Sequence, residues 1–216
     1  AVLSSKKKKA RKSRKGYAGK EGGTLIERLK DNCSKHSEGC NRFYFSRYVP
    51  WKHNQGSNSD SHSENILKLK EKDKKAIDQF VRKFKFLKGL NDLVLVRVPS
   101  HKQYERNGVE LLSERISARY GIVDRSSNLS RISDVAQRKR AKPGNRFMDP
   151  TEKHMIMKSL KIIEPELFDG KEVLLLDDVA TTWDSIDCCE SILARDCRPV
   201  SICSLVLGRT NTPRRI

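Results

Sequence analysis

The stretch Val173-Leu-Leu-Leu-Asp-Asp-Val-Ala-Thr-Thr-Trp-Asp-Ser185 decides how the rest of this sequence is read. Four consecutive apolar residues suit a short strand buried on both faces, because a strand with one wet face would alternate. Asp177 and Asp178 follow at the C-terminal end of that strand. Next comes a small, hydroxyl-rich turn, Ala180, Thr181, Thr182, Trp183, Asp184 and Ser185, and then an amphipathic helix with Ile186, Cys189 and Leu193 on one face. In open α/β folds ligands bind at the carboxyl edge of the sheet, which is where this order places two carboxylates and a nest of backbone N–H groups. Ionised carboxylates only accept hydrogen bonds, so they suit a vicinal diol such as ribose O2 and O3. The turn and helix N-terminus suit a phosphate.

An apolar run closed by two aspartates can also be a plain solvated strand end. The full register, Asp-Asp, Thr-Thr and then Ser185, is more specific, and it resembles the 5-phosphoribosyl-1-pyrophosphate (PRPP) signature of type I phosphoribosyltransferases. The family carries Gly in the turn where this chain has Trp183. Glycine permits a positive φ and close approach of phosphate, and an indole offers neither. The ring either fills the phosphate pocket or packs outward beside an intact turn. Retention of Thr181, Thr182 and Ser185 favours the second arrangement.

The resemblance extends over about residues 90 to 208 and is closest to the ComF-like, amidophosphoribosyltransferase-related branch. Leu93-Val-Leu-Val-Arg-Val-Pro99 reads as a second buried strand. In the family the loop after this strand holds pyrophosphate, which implies that role for Ser100, His101 and Lys102, although Lys102 also reads as an ordinary surface lysine. Arg106-Asn-Gly-Val-Glu-Leu-Leu112 loosely resembles the segment that opens the branch's next helix. Val109, Leu112, Ile116 and Tyr120 then recur at helical spacing up to a Gly121 C-cap. The basic stretch from Ser126 to Met148, including Arg131, corresponds to the family's mobile catalytic loop, with Gln137, Arg140 and Arg146 as its candidate residues. A helix is expected from an Asp149 N-cap with Pro150 at its first position, burying Met155, Ile156, Leu160 and Ile163. Val200 to Leu207 reads as a last buried strand. The βα alternation implies an α/β fold, a mainly parallel sheet flanked by helices of the type I phosphoribosyltransferase kind.

The formal net charge is +18 over 216 residues, and residues 1 to 20 hold nine Lys or Arg and no acid. Such an arm either solubilises the chain or binds nucleic acid through phosphate contacts. Residues 1–63 are expected to form a basic extension and linker, 64–210 the phosphoribosyltransferase-like domain, and 211–216 a tail. Phe43, Tyr44, Phe45, Tyr48 and Trp51 interrupt the extension and either dock on the domain or stack on bases. One helix is expected from Ile66 to Lys88, with Ile77, Phe80, Val81 and Phe84 on one face and nine Lys or Arg elsewhere.

Of the six cysteines, Cys33 and Cys40 lie near His36 and the distant His53 without the paired knuckles of a structural zinc site, so zinc is not expected. Cys188, Cys189, Cys197 and Cys203 read as small buried hydrophobes. No apolar run spans a membrane, and a cytoplasmic location is expected. The resemblance implies a PRPP- or nucleotide-binding protein in which Mg²⁺ accompanies PRPP, with no direct metal ligation by side chains; any enzyme would be a pentosyl-transferring phosphoribosyltransferase. The alternative is a non-enzymatic nucleic-acid-binding or effector subunit on the same scaffold. Its partners would be nucleic acid, met through the arm and the basic helix, and a protein within a nucleoprotein complex such as a reverse-transcriptase-associated defence system.

Overall fold

The computed structural model describes residues 23–50, 60–100, 107–133 and 149–210. A six-stranded sheet forms its centre, and the three long apolar runs lie side by side in it. These are β3 (Leu93–Arg97), β7 (Glu172–Ala180) and β8 (Ser201–Thr210). Adding β1 (Ser34–Lys35), β2 (Arg42–Tyr48) and β4 (Val123–Asp124), the order is β1-β2-β8-β7-β3-β4. Every pairing is parallel except that of β1 with β2. The continuous apolar runs are explained by burial on both faces. Leu174, Leu176, Leu95 and Leu205 enter one core, whereas Val173, Leu175, Val96 and Val206 enter the other.

The first core lies under α1 (Leu25–Asn32), α2 (Ser61–Lys70), α3 (Lys74–Lys83) and α4 (Gly108–Tyr120). The second lies under α5 (Pro150–Ser159), α6 (Asp184–Asp196) and an antiparallel ribbon of β5 (Leu129–Arg131) with β6 (Leu160–Ile162). The fold is therefore mixed α/β, a mainly parallel sheet flanked by helices, as expected. Cys188, Cys189, Cys197 and Cys203 are all buried.

Four sequence expectations change. The boundary at residue 63 does not match the packing. Residues 42–48 form β2, registered along β8 from Arg42 opposite Ser204 to Tyr48 opposite Thr210, and Phe43 is fully buried. The aromatic cluster is thus part of the sheet as far as Tyr48, while Trp51 lies outside the described residues. The single helix from Ile66 to Lys88 is two helices and a short 3-10 turn. Lys72 adopts a positive φ of 64°, and the Asp73 carboxylate caps α3 by accepting from Ala76 N–H at 2.8 Å. A cap residue competes well with helix continuation, and Asp73 reads as surface charge until that bond is seen.

The helix begun by Asp149 ends at Ser159, where the chain turns into β6. Ile156 and Leu160 are buried, but Met155 and Ile163 are exposed, since the change from helix to strand alters which side chains share a face. Finally, the expected loop from Ser126 begins as a 3-10 turn, Ser126–Asn128, followed by β5. Gln137, Arg140 and Arg146 lie outside the described residues, as do the arm and tail, residues 1–22 and 211–216.

Candidate functional site

Two crossovers leave the middle of the sheet in opposite directions. From β3 the chain passes through α4 over the first core to β4; from β7 it passes through α6 over the second core to β8. Between the carboxyl ends of β3 and β7 the strand order reverses, the position at which open α/β sheets characteristically bind ligands. The parallel register, Arg97 opposite Leu176, brings the segment that follows β3 alongside Asp177 and Asp178. Val98 N–H continues the ladder by donating to Leu176 O at 2.9 Å.

Strand β7 does not end at the two carboxylates; it runs on through Ala180, with Val179 opposite Gly208 and Ala180 opposite Arg209. Alternation therefore sends Asp177 and Asp178 to opposite sides of the sheet. Asp178 pairs with Lys70, at the C-terminal end of α2, at 3.3 Å. Asp177 accepts a hydrogen bond from Asp178 N–H at 2.8 Å. Burial, reinforced by the neighbouring Asp178 charge, pushes the Asp177 carboxyl up to about 8, against the opposing pull of that hydrogen bond and of Lys70.

A pH signature follows. The native state keeps a proton on Asp177 that the unfolded chain has released above its ordinary carboxylate range. The native state binds more protons throughout that interval, so rising pH erodes stability until the folded carboxyl titrates. Asp177→Asn should melt close to wild type near pH 4 and above it near pH 8, as thermal unfolding at the two pH values will show. A difference of the opposite sign would mean that Asp177 is stabilised as the anion.

The turn after β7 comprises Thr181, Thr182 and Trp183. Thr182 Oγ1 donates to Asp184 Oδ2 at 2.6 Å, and Thr210 Oγ1 donates to Ala180 O at 3.5 Å. Asp184 and Ser185 belong to the first turn of α6, and Trp183 is its N-cap with no side-chain capping bond. The first amide groups of a helix lack intrahelical acceptors, so a residue that cannot cap leaves them for another acceptor.

Trp183 has φ 67° and ψ 3°, the left-handed conformation that glycine would adopt without strain. For a residue with a Cβ this costs roughly 1–2 kcal/mol. The turn therefore keeps the backbone shape that the sequence expectation denied to an indole. The ring does not pack outward; it is 5% exposed and stacks on His36 with centroids 4.8 Å apart and planes 30° apart. Such a ring pair contributes about 0.5–1.5 kcal/mol beyond the area it buries.

His36 sits in the turn joining β1 to β2. Its N–H donates to Arg42 O at 2.8 Å, and Arg42 in turn grips α6. Its Nη2 reaches Asp187 Oδ1 at 2.8 Å, and its Nε reaches the Glu190 carboxylate at 3.0 and 3.2 Å. Lys153 of α5 also pairs with Asp187. Burial works to raise the Asp187 carboxyl, but hydrogen bonds from Lys153 and Arg42 hold it below its usual range. Burial, then the charges of Arg209 and Arg42, lower the His36 imidazole and favour its neutral form.

On the β3 side, Ser100 is the one candidate pyrophosphate residue inside the described range; His101 and Lys102 fall outside it. The Ser100 carbonyl accepts from Arg131 Nε at 2.8 Å, and Arg131 Nη1 donates to Ser159 Oγ at 2.6 Å. Arg131 is buried. It ties the end of β3 to the ribbon and α5, a different task from that of an arginine in a mobile loop.

The structure thus places Asp177, Asp178 and the 180–185 turn in succession along β7 and the start of α6, with Ser100 three residues past the end of the neighbouring β3. It adds His36, Arg42 and Lys70, whose partners lie 100 or more residues away in sequence. His36 entered the sequence reading as a zinc candidate only. Among the described residues no group of three or more metal-ligating side chains is assembled, and Cys40 Sγ instead donates to Ser37 O at 3.3 Å. No described helix is long and apolar enough to cross a membrane.

No protein-family profile matches the sequence, and no curated protein matches it either. Among solved structures, the chain is similar to a hypoxanthine phosphoribosyltransferase from Staphylococcus aureus, with a TM-score of 0.37 at 15% identity over 71% of this chain and 67% of that one. It is also similar to a Trypanosoma cruzi hypoxanthine phosphoribosyltransferase, with a TM-score of 0.36 at 15% identity over 72% and 69%. Likenesses at this level add nothing to the architecture already read from strand order.

Proposed function

We propose that the chain is a phosphoribosyltransferase-like protein that binds PRPP or a related nucleotide between the carboxyl ends of β3 and β7. The carrying observation is the meeting of an Asp-Asp pair with a left-handed, uncapped helix N-terminus at the point where strand order reverses. The ribose lies along the edge of β7 beyond the end of β3, where its hydroxyls donate to Asp177 on one side of the sheet and to Asp178 on the other. The 5′-phosphate takes the N–H groups from Thr181 to Ser185. Ser100, His101 and Lys102 are assigned to the pyrophosphate. Mg²⁺ enters as part of the substrate, on pyrophosphate oxygens; the carboxylate pair suits such a hard, hydrated cation.

In a transfer reaction positive charge develops on the ribose ring as pyrophosphate departs. A carboxylate at the ring stabilises that charge more than it stabilises the ground state. Asp177, held protonated by burial, loses its proton more readily once a cation lies beside it. No residue presents itself as a general base for a particular acceptor, so the proposal stops at the donor half of the reaction.

Isothermal titration of the protein with PRPP and Mg²⁺ tests this reading, with ribose 5-phosphate as the smaller probe. A saturable heat at one site per chain supports it, and no saturable heat with either probe removes it.

A second reading, a nucleic-acid-binding or effector subunit on the same scaffold, is favoured by the net charge of +18 and its concentration in residues 1–20. The exposed lysines of α2 and α3 extend that positive field. Salt-dependent binding of an oligonucleotide that weakens when residues 1–20 are deleted, without any PRPP heat, selects this reading over the first.

A further inference from the structure

Building on the phosphoribosyl site proposed above, we infer that His36 is a positioning residue for the phosphate-binding turn, its imidazole bracing Trp183 in the left-handed conformation that shapes the N-terminus of α6. A glycine would hold that conformation freely. A tryptophan holds it only when its surroundings over-determine it, and residues kept in disfavoured backbone regions concentrate at functional sites for this reason. The surroundings here are specific. The His36 ring lies on the indole face at 4.8 Å, and the indole is otherwise sunk among the apolar residues of the α6-side core.

The brace is itself anchored. His36 N–H closes its turn onto Arg42 O, and Arg42 binds both Asp187 and Glu190 on the first two turns of α6. Glu190 is held from the other side by Ser204 Oγ on β8, which donates to it at 2.6 Å. The β1–β2 turn and the start of α6 are therefore fastened at two places, an ion-pair cluster and a ring stack, and only the stack reaches the left-handed residue. Trp183 Nε1 and His36 Nδ1 are buried without hydrogen-bond partners. Neither atom orients its ring by a directional bond, so the stack and the packing around it carry the geometry. A neutral imidazole suits the place, because a protonated one would add a third cation to Arg42 and Arg209.

The test uses the full chain carrying Trp51→Phe, so that emission reports Trp183 alone, and titration with PRPP and Mg²⁺. His36→Ala should red-shift the emission and weaken PRPP binding roughly three- to tenfold, and His36→Phe, which keeps a flat ring, should restore both. With Trp183→Gly in the background the turn no longer needs a brace, so His36→Ala should then leave affinity unchanged. That non-additivity would not arise if His36 merely supported the fold. Equal weakening by His36→Ala in both backgrounds, or none in either, overturns the inference. If the parent chain itself binds no PRPP, the proposed site falls, while the brace is judged on emission. An unshifted spectrum in His36→Ala then overturns it too.

Discussion

Asp177→Asn combined with Asp178→Asn should weaken PRPP binding at least a hundredfold and leave the fold intact. Each carboxylate offers charge-assisted hydrogen bonds worth roughly 1.5–3 kcal/mol, and about 1.4 kcal/mol is a factor of ten. The fold survives because neither side chain is a core residue: Asp178 meets Lys70, which extends from the end of α2, and Asp177 is held at a cost through its own buried carboxyl. Removing that charge stabilises the protein at pH 8 even as it removes a ligand contact. Affinity and stability thus move in opposite directions, which separates a lost site from a damaged fold. Isothermal titration with circular dichroism on the same sample reads both. Full affinity in a folded double variant would sink the site assignment.

Gly108→Ala should be among the most destabilising single substitutions in the chain, costing about 3 kcal/mol or somewhat more. Gly108 opens α4, and a Cβ there would stand 2.7 Å from the Leu69 carbonyl carbon and nearer still to its oxygen. A backbone carbonyl cannot rotate aside as a side chain can, so α2 and α4 must separate. For a chain of this size the loss corresponds to a fall in melting temperature of roughly 6–12 °C. Gly121→Ala makes the contrast. Its φ is 69° with nothing within 4 Å of a new Cβ, so only the backbone cost of about 1 kcal/mol applies. Thermal unfolding that ranks Gly121→Ala as the worse variant would refute the close approach of α4 to α2. The consequence reaches the site, since α2 carries Lys70 and its displacement moves the partner of Asp178.

Several local signals in the sequence lead directly to structure. Gly121 ends α4 in the left-handed conformation, and Asp149 starts α5 by accepting from Thr151 N–H at 2.9 Å. Both are decided within a few residues of chain, where capping energy acts. Other local signals mislead for the same reason. Asp73 stands among lysines and looks like a solvated face, yet it caps a new helix. Met155 and Ile163 fit a helical stripe that the chain abandons at Ser159. Arg42–Tyr48 has four aromatics in seven residues and so favours a strand, yet nothing local joins it to the domain, because its place comes from pairing with β8 and from the α6 carboxylates that Arg42 meets.

What the sequence by itself determines is the set of strands that must lie inside a sheet and the end of it that carries chemistry. Leu93–Val96 and Val173–Leu176 are continuously apolar and Ile202–Leu207 is broken only by Ser204, which suits the doubly covered middle of a parallel sheet. The carboxylates that follow one of them are then carried to its open edge. What only the tertiary structure decides is how that edge is held. The Lys70 partner of Asp178, the Arg131 tie to Ser100 and the His36 ring on Trp183 join residues from 31 to 147 positions apart. Such contacts exist only after the sheet has assembled and brought its flanking layers together, so their free energy leaves no periodicity in the chain. Trp183 shows the division most sharply: its identity argues against the left-handed turn, and a histidine brought in by a distant hairpin packs against the ring of a residue that adopts it.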